Sequence, residues 1–140
     1  IANIVKGAKK YGHVIVIDDN SNDKTAIIAR NYGAEVLSNK TQKGYSYTLN
    51  KGIKIAQARK FLYLISLDAD GEHRTQEIPR LINEFEKGFE LVFGIRKKKQ
   101  RFSEVIFCKY FDLVFGVKDI LCGMKGLKLS KINLKKINFI

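Results

Sequence analysis

Short apolar runs alternate along this chain with stretches of helical period, and few folds accept that order. His13–Ile17, Ala34–Leu37, Phe61–Leu67 and Leu91–Phe93 are brief and rich in β-branched and aliphatic residues, as suits strands covered on both faces. Between them, Ala26, Ile27 and Ala29 belong to a helix reaching about Tyr32. Leu49, Ile53 and Ala56 share a stripe of a helix over about Tyr45–Arg59, and Leu81, Ile82 and Phe85 face inward from Glu77–Lys87. Asn22 or Asp23 can cap the first of these, Pro79 is tolerated in the first turn of the last, and Gly33 and Gly88 stand where helices stop. Ile1–Lys10 reads as the end of another helix, with Ile4, Val5 and Ala8 on one face. Gly52 weakens its helix by about 1 kcal/mol relative to Ala and suits close helix–sheet contact. The alternation implies an α/β sandwich with a mostly parallel sheet, Phe61–Leu67 being its central strand and Leu91–Phe93 another buried one.

The run Phe61–Leu67 breaks into Asp68, Asp70, Gly71, Glu72 and His73. Carboxylates this close repel one another, and desolvating them is costly. A divalent cation resolves the conflict, since Mg²⁺ is typically held by one or two carboxylates plus substrate phosphates. The plainer reading is a solvated turn in which Asp and Gly serve turn chemistry. A second acidic cluster, Asp18–Asp23, follows another apolar run. Ligands of open α/β sheets bind outside the carboxyl ends of the strands, so Asp18/Asp19 and Asp68/Asp70 are expected on one edge. Their convergence favours a metal-and-phosphate site.

At 140 residues the chain is sized for one domain, residues 1–140. Cys108 and Cys122 lack zinc-site spacing and read as reduced buried thiols of a cytoplasmic protein. The chain opens on Ile1, no signal peptide precedes the first strand, and no apolar run reaches the roughly 18–20 residues of a membrane span; a piece of a longer protein is expected. The net charge of +12 suits phosphorylated substrates, nucleic acid or an anionic membrane face. Much of it lies in Arg96–Arg101 and in the lysines after Met124. Neither aromatic–basic interleaving nor zinc spacing supports a nucleic-acid partner. Phe102–Val117 is a strongly apolar helix with Phe102, Ile106, Tyr110, Leu113 and Val114 on a broad stripe. Glu104, Lys109 and Asp112 interrupt it, so core or interface is the expectation. Asp119–Gly126 is turn-rich, and the tail reads as a last helix or the start of one.

Five blocks, in this order, carry a resemblance: DDNSNDKT at Asp18–Thr25, KGYSYTLNKGIKIA at Lys43–Ala56, LDADGEH at Leu67–His73, LVFGIR at Leu91–Arg96 and DILCGMKG at Asp119–Gly126. Across about Val14–Gly126 the chain resembles the inverting glycosyltransferases of family 2, which have the nucleotide-diphosphosugar (GT-A) fold, and among them the dolichyl- and polyprenyl-phosphate sugar synthases. The resemblance implies a three-layer α/β/α domain. It places Asp19, with Asp18 beside it, at the base or ribose of the nucleotide, with Lys43 on the same side. Asp68 and Asp70 would hold Mg²⁺ or Mn²⁺ against the donor diphosphate, and Glu72 would be a third metal-facing side chain. Arg96 and Arg101 would face phosphates of donor or acceptor, and Asp119–Gly123 would form the acceptor-side turn. The family's opening strand, with its Asn-Glu turn, is absent here, so the fragment is expected to lack a central strand and part of the base pocket.

The implied chemistry is displacement at the anomeric carbon of a nucleotide sugar, of GDP-mannose or UDP-glucose type, with inversion. Metal and arginines would neutralise the departing nucleoside diphosphate. A polyprenyl-phosphate acceptor is already ionised, whereas a saccharide hydroxyl needs a carboxylate to take its proton, with Asp119 the candidate. The basic loop and the apolar helix favour the lipid phosphate and a peripheral contact with the cytoplasmic membrane face. A haloacid-dehalogenase-like phosphatase also places an Asp-x-Asp after a strand, but Glu72 stands where Thr or Val is expected. A transferase-like fragment that only binds nucleotide sugar stays open.

Overall fold

A computed structural model describes residues 1–70, 73–96 and 102–132; Glu72, Arg101, most of the basic run and the tail beyond Ile132 lie outside them. The elements follow in the order α1 (Ala2–Ala8), β1 (Ile15–Asp18), α2 (Thr25–Asn31), β2 (Glu35–Ser38), α3 (Tyr45–Ala58), β3 (Tyr63–Ser66), α4 (Ile78–Glu86), β4 (Leu91–Phe93), α5 (Phe102–Phe115) and β5 (Lys125–Lys128). Strand–helix alternation thus holds as far as β4. Asp23 Oδ1 accepts the N–H of Thr25 at 2.8 Å where α2 begins, and α2 and α4 give way to Gly33 and Gly88 at positive φ.

β1 and β2 pair in parallel. β5 lies between β3 and β4 and runs antiparallel to both, with Leu64 opposite Leu127 and Val92 opposite Gly126. Two expectations change here. β5, not β3, is the middle strand of its sheet, and the tail begins as a strand instead of a helix. Four residues with two lysines and a glycine carry too little pattern to announce a strand. Gly126 is required by packing: a Cβ there would lie 2.6 Å from the Phe85 ring. β4 is an edge strand in the described structure, and Leu91 is exposed, so it is not the buried strand the sequence implied.

Side chains alternate between the faces of a strand, and neighbours on β3 enter different layers. Leu64 packs with Ile53 and Ala56 of α3, Leu127 and Leu129. Ile65 packs on the opposite side with Ile78 and Leu81 of α4, Met124 and Ala8 of α1. A third cluster joins Val5 of α1 and Ala29 of α2 to Val16 and Val36. α3 contacts both β1 and β3, so it spans the two sheets from one side, and α1 reaches both clusters on the other. The result is a three-layer α/β/α arrangement. Phe85 anchors it, wholly buried and stacked on Tyr63 at 4.5 Å between ring centroids; truncating such a residue to Ala costs about 3–5 kcal/mol.

Candidate active site

The acids at the end of β1 are built into the neighbouring loop. Asp18 is buried, and one of its oxygens accepts the Ser21 N–H at 3.2 Å. Burial works to raise its pKa, but hydrogen bonds from Ser21 and Ser38 outweigh it and hold the carboxyl below the ordinary value. Asp19 accepts from Asn39 Nδ2 at 2.7 Å, from the Lys43 N–H at 2.9 Å and from the Gly44 N–H at 2.7 Å. Those bonds, Asn39's foremost, lower its pKa. Lys51 Nζ donates to Asn39 Oδ1 at 2.7 Å and braces the loop from α3. Asp19 therefore fixes the entry to α3 and sets a negative charge at that helix's N-terminus, where the helix dipole favours it. Lys43 contributes its backbone here, and its side chain is exposed.

Asp68 follows β3, with its side chain 39% exposed. Its N–H donates to His73 Nδ1 at 3.2 Å, and its Oδ2 lies 3.8 Å from the same nitrogen. Ser66 Oγ donates to the Gly123 carbonyl at 2.8 Å and draws the segment before β5 alongside. The approach is so close that a Cβ on Gly123 would sit 1.7 Å from Asp68 Oδ2. Tyr45, in the first turn of α3, has its pKa raised by burial and then by the charge of Asp68. Lys125 Nζ lies 5.8 Å from the Tyr45 ring centroid. Asp19 and Asp68 thus both lie near the start of α3. Asp70 is exposed in the turn beyond Asp68.

Among the described residues no three His, Cys, Asp or Glu side chains converge as a metal cage. Asp68 and Asp70 still provide the hard-oxygen pair that Mg²⁺ takes from a protein when phosphates and water complete its shell. The missing Cβ of Gly123 leaves room for the Asp68 carboxylate, and its side chain stays 39% exposed, open to such an ion.

Arg96 and Asp119 lie deeper. Asp119 has no solvent exposure. Its Oδ2 accepts from the Arg96 N–H at 3.1 Å and from Nε at 3.0 Å, and its Oδ1 accepts from Nη2 at 3.0 Å. Cys108 Sγ lies 3.5 Å from that Oδ1. Burial opposes ionisation of Asp119, yet the Arg96 bonds prevail and hold its carboxyl below the usual range. Arg96 is raised in turn, chiefly by Asp119. Glu104 Oε2 is 3.2 Å from Arg96 Nη2, near enough for charge attraction but without an aligned hydrogen bond. The structure therefore places Asp119, considered above as a proton acceptor, in a bidentate pair with both oxygens occupied. Arg96 faces two carboxylates. His73, Cys122 and Glu104 had no assigned role in the sequence, because their partners are distant or lie on other elements. Only His73 carried a signal, its place in the acidic turn.

The model of the family described as Glycosyl transferase family 2 matches residues 1–107. The chain belongs to glycosyl transferase family 2. The matched span includes both acidic strand ends and Arg96 and stops before Asp119. This family 2 chain is 24% identical to polyprenol monophosphomannose synthase of Mycolicibacterium smegmatis, over 90% of the chain and 56% of that protein. It is 34% identical to undecaprenyl-phosphate mannosyltransferase of Micrococcus luteus, over 66% of the chain and 40% of that protein. Its fold matches the crystal structure of glucosyl-3-phosphoglycerate synthase from Mycobacterium tuberculosis in complex with phosphoglyceric acid, at a TM-score of 0.74 and 18% identity, over 93% of the chain and 52% of that one. The fold is thus the GT-A type, and the chain spans about half the length of these relatives.

Proposed function

We propose that the protein containing this chain transfers a sugar from a nucleotide-diphosphate donor to a polyprenyl phosphate, with inversion at the anomeric carbon. One observation carries the reading: the acidic ends of β1 and β3 both lie near the start of α3, Asp19 accepting the Gly44 N–H and Asp68 close enough for its charge to act on Tyr45. The Asp19 side receives the nucleoside, through the loop that Asp19 fixes. Asp68 and Asp70, with Glu72 following them in the sequence, hold Mg²⁺ or Mn²⁺, which supplies positive charge for the departing diphosphate. The engagement of Asp119 by Arg96 favours an acceptor that is ionised already, because a saccharide hydroxyl would need a free carboxylate to take its proton. The matched synthases named for polyprenol and undecaprenyl phosphate support the same acceptor.

The test is calorimetric titration of GDP and UDP into the full-length protein, with and without Mn²⁺, followed by transfer of labelled sugar to polyprenyl phosphate or to a saccharide. Mn²⁺-dependent nucleotide binding that Asp70→Ala abolishes, and label recovered in the lipid phase, are the expected results. Metal-independent binding, or label in the saccharide alone, would refute the reading.

A further inference from the structure

We infer that His73 is a positioning residue for Asp68, an inference that rests on the reading of Asp68 as a metal-facing acid. His73 is buried behind the turn and joins two segments that are remote in sequence. Its Nδ1 accepts the Asp68 N–H at 3.2 Å, and its Nε2 lies 3.6 Å from Cys122 Sγ. A nitrogen that receives an N–H presents its lone pair, so the ring proton sits on Nε2 and points at the sulfur. Cys122 is itself packed among Ile78, Leu81 and Met124, so that end of the imidazole is anchored in the core. The other end holds the main chain at Asp68. Gly123, secured by Ser66, bounds the same carboxylate from the side. Main chain and carboxylate are thereby fixed by separate contacts, which leaves Asp68 little freedom except toward the rim it shares with Tyr45. Outer-shell partners of this kind are worth about 10–100-fold in metal affinity.

The two amide replacements separate this role from mere filling of space. In His73→Asn the amide oxygen can stand near the Nδ1 position and keep an acceptor for Asp68. In His73→Gln the amide reaches toward Cys122 and gives that acceptor up. The measurement is Mn²⁺ affinity of the full-length protein with GDP or UDP present, read from the Mn²⁺ EPR signal, with melting temperature recorded alongside. The expected result is affinity within about threefold of wild type for His73→Asn and a loss of about tenfold or more for His73→Gln, at similar melting temperatures. Equal affinities for the two variants would overturn the role. Wild-type affinity in Asp68→Ala would instead remove the premise that Asp68 faces the metal, an outcome visible without either histidine variant. Should both histidine variants fail to fold, ¹⁵N spectra of the wild-type imidazole decide: a proton on Nε2 is expected, and one on Nδ1 contradicts the proposed contact.

Discussion

Asp119 and Arg96 are 23 residues apart and share three hydrogen bonds. No local pattern announces such a pair, which is why the sequence suggested two groups open to phosphate and proton. The acids at the strand ends were legible because carboxylates after an apolar run are chemically conspicuous. Removing one member of a buried ion pair leaves the other uncompensated, at about 3–5 kcal/mol. Glu104 stays beside Arg96, so Asp119→Asn should lose less, about 1–3 kcal/mol in urea unfolding; an unchanged midpoint would mean that the pair adds nothing to the fold. Glu35 provides a second test. Arg59 clamps it through both oxygens and His13 adds a bond at 3.0 Å, and these contacts bring its carboxyl from 4.5 down to about 2. A depressed folded pKa stabilises the fold fully above the unfolded value, and that contribution fades as pH falls from there toward 2. Glu35→Gln should show a shallower fall in melting temperature across that window than wild type, and parallel curves would deny the clamp its acid sensitivity.

The helices were readable because their apolar residues recur three or four positions apart, whereas β5 offered four residues and its pairing is entirely non-local. α5 shows the limit of periodicity. Its apolar residues were visible, but not whether anything packs on them, and Leu113 proves to be 87% exposed, with Ile106, Tyr110 and Val114 exposed beside it. Gly52 of α3 was expected to let the helix approach the sheet. A Cβ there would meet Ile17 at 3.8 Å, an ordinary contact. Gly52→Ala should accordingly stabilise the chain by about 0.5–1 kcal/mol, read as a raised urea midpoint; a lowered midpoint would show that the helix needs the glycine.

For the molecule as a whole, the fold class and the shared rim were legible, since both follow from the order of elements. The layout of two hydrogen-bonded sheets was not, since it depends on which edges pair. No helix among the described residues is long and apolar enough to cross a membrane. The exposed face of α5, preceded in sequence by the basic run from Lys97 to Arg101, matches a surface-lying contact with anionic lipid. We propose that contact for the full-length protein. Sedimentation with phosphatidylserine vesicles should show binding that salt weakens and that Leu113→Asp reduces, and no binding at low salt would exclude it.

Because α3 packs on both β1 and β3, one helix ties the two acidic strand ends together. A nucleoside diphosphate held across both would act as a clasp, and amide exchange in β1–β2 and β3–β5–β4 should then slow together.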